Sequence, residues 1–218
     1  MPDRRSSLRL AAAIALCAGL CSGLGLAVPA HARPAGLTPE QAGRVQIANA
    51  YLTDLRSVQG RFNQVDAQGV ETSGTLWLRR PGKARFQYDA PADLLVVSDG
   101  SNVMVNDRRL KTFDQYPLWA TPLGLLLAKQ VRLDKGVEIT AVTDTADGFT
   151  VTARDSRRRT EGSITLRFTT PPITLAGWTV TDGQGQRTQV AIGPLHGIAD
   201  PDPQLFVLRD PNPRRGKN

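Results

Sequence analysis

From Val58 onward, apolar residues recur at every second position, and this alternation limits the fold more than any other feature. The runs fall near 58–65, 72–80, 83–89, 94–98, 102–106 and 110–114. They resume at Val137-Glu-Ile-Thr, Phe149 to Ala153, Ser163 to Phe168, Ile173 to Val180 and Arg187 to Ile192. Successive side chains of a strand point to opposite faces, so each run has one dry and one wet side. Ile164, Leu166 and Phe168, set against Thr165 and Arg167, show it most cleanly. Gln68-Gly69, Pro81-Gly82, Asp89-Ala-Pro-Ala-Asp93, Asp99-Gly100 and Asn106-Asp107 separate the first six runs. Connections this short join neighbouring antiparallel strands. The pattern predicts about eleven such strands, with a short last element at Gln204 to Leu208.

Two segments read as helices. Thr38 is the expected N-cap of the first, with Pro39 at its first position and Glu40-Gln41 in its first turn. Val45, Ile47, Ala48, Tyr51, Leu52 and Leu55 then recur at helical spacing, and the helix is expected to end near Ser57. The second lies in Gln115 to Ala128, the most apolar stretch after the N-terminal region. There Thr121 and Pro122 can start a short helix, and Gly124 weakens it. It is either a plain core helix or a cover for something else.

Two helices cannot fill a curved trough of about eleven strands. A sheet that large closes on itself or curls around what covers its inner face. The space left over is expected to be an apolar cavity, which commonly takes a ligand. A well-filled barrel is the alternative.

The first 32 residues are not expected to join this fold. Arg4, Arg5 and Arg9 form a basic start, Leu10 to Val28 is apolar, and Ala30-His31-Ala32 is a small-x-small cleavage site. These are the three parts of a secretory signal peptide. Cys17 and Cys21 follow leucines rather than the small residue a lipobox requires. Cleavage after Ala32 removes both cysteines, three arginines and Asp3, which lowers the formal net charge from +7 to +5. The exported remainder must be stabilised by a hydrophobic core without disulfides, as one domain over 33–210. Residues 211–218 are expected to be a flexible basic tail. A basic exported protein can meet anionic headgroups or an acidic protein; no nucleic-acid partner is expected.

Catalytic patterns are missing. After the signal, His196 is the one histidine, in Gly193-Pro-Leu-His-Gly197, and no cysteine remains. The usual zinc and Cys/His arrangements are therefore absent, as are Gly-x-Ser-x-Gly and a phosphate-cradling glycine loop. Arg157-Arg158-Arg159 reads as a solvated hairpin tip. No enzyme, cofactor or metal is expected.

Gly74 to Gly100 holds the one anomaly. Leu76, Leu78 and Arg80 share a face of one strand, while Phe86 and Tyr88 share a face of the next. If that face is buried, Arg80 must find partners at an apolar rim. Otherwise it is a strand-end arginine reaching solvent.

This stretch carries a resemblance. Phe62-Asn-Gln64, Gly74-Thr-Leu-Trp-Leu-Arg-Arg-Pro81, Phe86-Gln-Tyr88, Pro91 and Val97-Ser-Asp-Gly100 resemble the outer-membrane lipoprotein carrier family, LolA. Thr121-Pro-Leu-Gly-Leu-Leu-Leu127 resembles its second lid helix. The resemblance implies an α+β fold: an unclosed antiparallel half-barrel with a helical lid over an apolar cavity. It implies a monomeric periplasmic carrier that takes triacylated lipoproteins from an inner-membrane ABC transporter. Delivery would be to an outer-membrane acceptor lipoprotein, or to the outer membrane directly. By motif match, Arg80 corresponds to the arginine that bonds lid carbonyls and latches the empty cavity. The acyl-lining set is expected to be Leu76, Leu78, Phe86, Tyr88, Leu95, Val97, Val103, Val105, Leu118, Trp119, Leu123 and Leu127. A one-residue slip in register would invert these face assignments. The alternative function is a lipoprotein-sensing regulatory module on the same half-barrel.

Overall fold

The computed structural model describes residues 36–129, 137–155 and 162–211. The alternating runs form one antiparallel sheet. Its strands are β1 (Ser57–Val65), β2 (Glu71–Arg79), β3 (Lys83–Tyr88), β4 (Leu94–Asp99), β5 (Asn102–Asp107), β6 (Thr112–Pro117), β7 (Val137–Thr145), β8 (Gly148–Asp155), β9 (Gly162–Thr169), β10 (Thr174–Asp182), β11 (Arg187–Ile192) and the short β12 (His196–Gly197). The helices are α1 (Pro39–Asp54) and α2 (Leu123–Leu127).

The strand order is β6-β5-β4-β3-β2-β1-β11-β10-β9-β8-β7, with β12 pairing β1 beside β11. Two meanders therefore meet where β1 pairs β11, Phe62 opposite Ile192 and Gln64 opposite Val190. The edges β6 and β7 do not pair with each other, so the sheet stays open.

Register fixes one inner face. Leu76 lies opposite Gly60 and Phe86, and Leu78 opposite Val58 and Ala84. All but Gly60 belong to one large core cluster that continues through Phe149, Val151, Leu166 and Phe168. Leu76 and Leu78 are fully buried, and each contributes about 2 kcal/mol by removal from water. Gly74 lets this layer close: a Cβ there would meet the Phe62 ring at 2.7 Å and the Gln87 carbonyl oxygen at 2.3 Å.

α1 begins with a capping box. The Thr38 hydroxyl accepts from the Gln41 N–H, and the Gln41 side chain accepts from the Thr38 N–H. It ends at Asp54, three residues before the expected end, because Leu55 is already extended. Its buried stripe is Val45, Ala48 and Leu52, narrower than the sequence suggests; Ile47 faces out. The helix lies over the β7–β9 half. Gln41 donates to the Val142 carbonyl, Arg44 sits over the Phe149 ring, and Tyr51 meets Phe168 edge to face.

Two further expectations shift. The sixth strand is Thr112–Pro117, not 110–114. The Asp107 carboxylate accepts the Leu110 N–H and Lys111 takes φ +56°, so the turn consumes residues 108–111. The C-terminal element is a 3-10 turn, Pro203–Phe206, packed on β3 and β4 from the outer side. It lies beside a second, smaller core of Leu95, Val97 and Met104, against which Phe113 and Leu208 pack. Arg85 donates to the Leu205 carbonyl and holds this segment down. Strand β4 is consequently buried along both faces.

Candidate functional site

The inner face of β1, β3 and β10 carries a continuous aromatic floor. Phe62 meets Phe86 and Tyr88 edge to face, with ring centroids 5.6 and 5.0 Å apart. Phe86 meets Trp178 in the same way across 6.1 Å. Such contacts add to the burial energy and fix ring orientations. Ile164, Val180 and Val190 extend the floor towards the second meander, and Pro122, Leu123 and Leu126 of the α2 segment roof it. Between floor and roof lies a narrow cleft of about 50 Å³ that opens to solvent. The roof therefore occupies most of the trough itself.

The α2 segment is an apolar plug more than a helix with its own stability. Five residues fall far below the length at which an isolated helix persists. Leu126 and Leu127 are each 1% exposed. Gly124 is needed rather than merely tolerated: a Cβ would stand 2.7 Å from the Leu118 carbonyl oxygen. Thr121 does not cap α2. It closes the preceding 3-10 turn, and its hydroxyl donates to the Leu118 carbonyl.

The C-terminal end of the plug is tied to the rim of β2. Arg80 Nη2 donates to the Ala128 carbonyl at 2.6 Å, and the Gly82 N–H donates to the Leu127 carbonyl at 2.8 Å. These are two of the carbonyls a helix end leaves unpaired. Ser98 supports the rim, its hydroxyl donating to the Gly82 carbonyl. Arg80 is half-buried. Burial, and secondarily the nearby Arg56 cation, lower its pKa from the ordinary arginine value. Its Nε and Nη1 are buried and meet no acceptor among the described residues. The anchor thus retains desolvated donors, which makes the closed arrangement less favourable than a fully paired one.

The anticipated residues divide by face. Leu76, Leu78, Phe86, Tyr88, Val103, Val105, Leu118, Leu123 and Leu127 all lie in the large inner core, and Phe86, Tyr88 and Leu123 border the cleft directly. Leu95 and Val97 do not. Val96, not Val97, lies opposite Phe86 in the β3–β4 ladder, so period two sends Leu95 and Val97 to the outer core. Trp119 is 67% exposed and does not line the cleft. Gln64, Leu126, Ile164, Trp178, Val180, Thr188 and Val190 line it although the sequence did not single them out as lining residues. Leu126 sits in the recognised lid motif. The inner-face alternation of Ile164 was visible, but nothing local showed that the second meander faces the first. His196 pairs with Gln59 in the β1–β12 ladder and is exposed, away from the cleft. The described residues contain no cluster of three His, Cys, Asp or Glu able to hold a metal, and no helix among them is long and apolar enough to cross a membrane. The signal peptide, the 211–218 tail beyond Pro211, and Arg157-Arg158-Arg159 lie outside the described residues.

An open antiparallel half-barrel whose apolar floor is roofed by a short, lightly tied plug defines a class: a lidded binder of hydrophobic ligands. The chain belongs, within that class, to the LolA family, described as outer membrane lipoprotein carrier protein LolA, whose profile matches residues 53–209. It is 29% identical to an outer-membrane lipoprotein carrier protein of Chromohalobacter salexigens over 202 residues, covering 88% of this chain and 92% of the relative. It is 30% identical to one from Methylibium petroleiphilum over 180 residues, covering 78% and 87%. A solved LolA superfamily protein from Nitrosomonas europaea is 10% identical, with a TM-score of 0.46 over 77% of this chain and 97% of that one.

Proposed function

We propose that this protein is a periplasmic carrier that shelters the acyl chains of lipoproteins between the inner and outer membranes. It would receive triacylated lipoproteins from an inner-membrane ABC transporter and pass them, as a monomer, to an outer-membrane acceptor or to the membrane itself. It would do so without catalysis. The observation that carries the reading is the roof: two leucines and a proline resting on an aromatic floor, in a family named for lipoprotein carriage.

Magnitudes support an exchange of roof for ligand. Lifting Leu123, Leu126 and Leu127 to solvent costs about 6 kcal/mol at about 2 kcal/mol each. Breaking a charge-assisted bond such as that from Arg80 adds about 2 kcal/mol. Each buried methylene of a ligand returns about 0.8 kcal/mol. On the order of ten methylenes balances the sum, less than one long acyl chain. Loading then requires no energy source in the carrier, and release requires only a comparable apolar acceptor. Arg80 acts as the latch in this scheme.

The test is purification of the protein from periplasm, with mass spectrometry of what accompanies it. Triacylated lipoproteins are expected. Correct outer-membrane placement of lipoproteins in cells depleted of the protein would sink the reading.

A further inference from the structure

The cleft is apolar except at one end. On the inner face, β1 ends in Gln64, directly opposite Thr72 of β2. Tyr88 of β3 donates its hydroxyl to Gln64 Oε1 at 2.8 Å. Thr188 of β11 lies on the same side and, like Gln64 and Tyr88, borders the cleft. Arg80 stands at the far end of β2, eight residues along the same face from Thr72, so the two ends differ in chemistry.

This polar end is incompletely satisfied. Gln64 is 6% exposed, and its side chain makes one hydrogen bond among the described residues, through its oxygen. A glutamine offers two N–H donors besides that oxygen, and neither meets an acceptor here. The Thr72 hydroxyl is also buried and unpaired. The Gln64 NH₂ is not among the fully desolvated unpaired atoms, so water in the open cleft can reach it; a ligand carbonyl bound there would replace that water and would give the buried Thr72 hydroxyl a polar neighbour. Tyr88 fixes which atom is left over: by donating to Oε1 it leaves the amide NH₂, on a side chain that borders the cleft, for another partner. Burial raises the Tyr88 pKa well above the ordinary phenol value, so it stays a donor at any physiological pH.

We infer that Gln64, oriented by Tyr88, binds the carbonyl oxygen of an acyl linkage, ester or amide, and so sets the depth at which an acyl chain seats. The inference rests on the carrier reading and adds a polar anchor to it. An acyl chain differs from a plain hydrocarbon in that one carbonyl, and the cleft has one matching unpaired amide.

The test uses the full mature chain and displacement of a fluorescent apolar dye. Methyl palmitate and hexadecyl methyl ether have the same length and differ in the carbonyl. Wild type should prefer the ester by about tenfold, the worth of one well-made buried hydrogen bond. Gln64→Met should abolish the preference while still binding the ether, which also shows that it folds. Tyr88→Phe should reduce the preference by releasing the amide. If Gln64→Met binds neither probe, Gln64→Asn, with a shortened amide, should still bind the ether and lose the preference. No preference in wild type, as when a trapped water satisfies Gln64, or an unchanged preference in the variants, overturns the assignment. A triacylated cysteinyl lipopeptide separates the two levels. If wild type fails to bind it, the carrier reading falls too; if it binds, a missing ester preference removes the anchor alone.

Discussion

The Gly82 N–H donates to the Leu127 carbonyl at 2.8 Å, beside the Arg80 guanidinium that holds Ala128. If the plug opens as proposed, the Gly82 amide reports it, because its hydrogen-bond acceptor among the described residues belongs to the plug.

Arg80→Leu should release that reporter. Losing a charge-assisted bond of about 2 kcal/mol raises the open population by more than tenfold. Amide exchange at Gly82 should accelerate by that factor, while Phe62, in the middle of β1, exchanges as in wild type. The same variant should retain lipoprotein more firmly, since nothing pulls the plug back. Unchanged exchange at Gly82 together with unchanged retention would remove Arg80 from the latch role.

Much of this arrangement was legible beforehand, for physical reasons. Strand period, turn residues and the shortage of helices implied one large antiparallel sheet with space left inside it, the family resemblance implied that the sheet stays open, and Arg80 stood out as a cation in register with Leu76 and Leu78. Leu95 and Val97 were misplaced because β4 is apolar at every position from Leu94 to Val97, so alternation gives no phase. The phase comes from the C-terminal segment around Leu208, which covers the outer face and is more than a hundred residues away. Ile164, Trp178, Val180 and Val190 were missed as cavity wall for a related reason: only the β1–β11 pairing turns the second meander towards the first.

Leu95→Ala tests the corrected face. Leu95 packs in the outer core with Val97 and Met104. Truncation should cost about 3 kcal/mol, measured by urea unfolding. Affinity for an acyl ligand should stay at the wild-type level, because the cleft lies on the other side of the sheet. A stability loss accompanied by a large loss of ligand affinity would contradict the placement.

Asp89 predicts a specific acid response. Arg61 grips its carboxylate with both terminal nitrogens, and the Ser73 hydroxyl donates to it at 2.7 Å. The Arg61 bond, then the Ser73 bond, hold its pKa down at about 2, against 3.8 for an ordinary aspartate. A depressed folded-state pKa contributes stability that is present above the unfolded value and lost as pH falls through the folded one. Asp89→Asn should therefore be less stable than wild type near pH 6, and the difference should shrink between about pH 4 and pH 2. Urea midpoints at pH 6, 4 and 2.5 measure it; a difference independent of pH would show that the pair contributes nothing through charge.

Leu126→Ala separates a plug from a core helix. Leu126 is 1% exposed and roofs the cleft, so in a permanent core its truncation would cost about 3 kcal/mol under all conditions. In a plug the cost belongs to the empty state alone. The loaded state has already moved the side chain out, so truncation leaves its free energy nearly unchanged. The empty variant should melt at a lower temperature, while wild type and variant loaded with a triacylated lipopeptide should melt together. Linkage then requires tighter ligand binding by the variant, by up to about a hundredfold for that difference in empty-state stability. Leu76→Ala, in the fixed floor of the sheet, should destabilise both states alike. If Leu126→Ala and Leu76→Ala behave the same way in both states, α2 is part of the permanent core, and the roof does not yield to ligand.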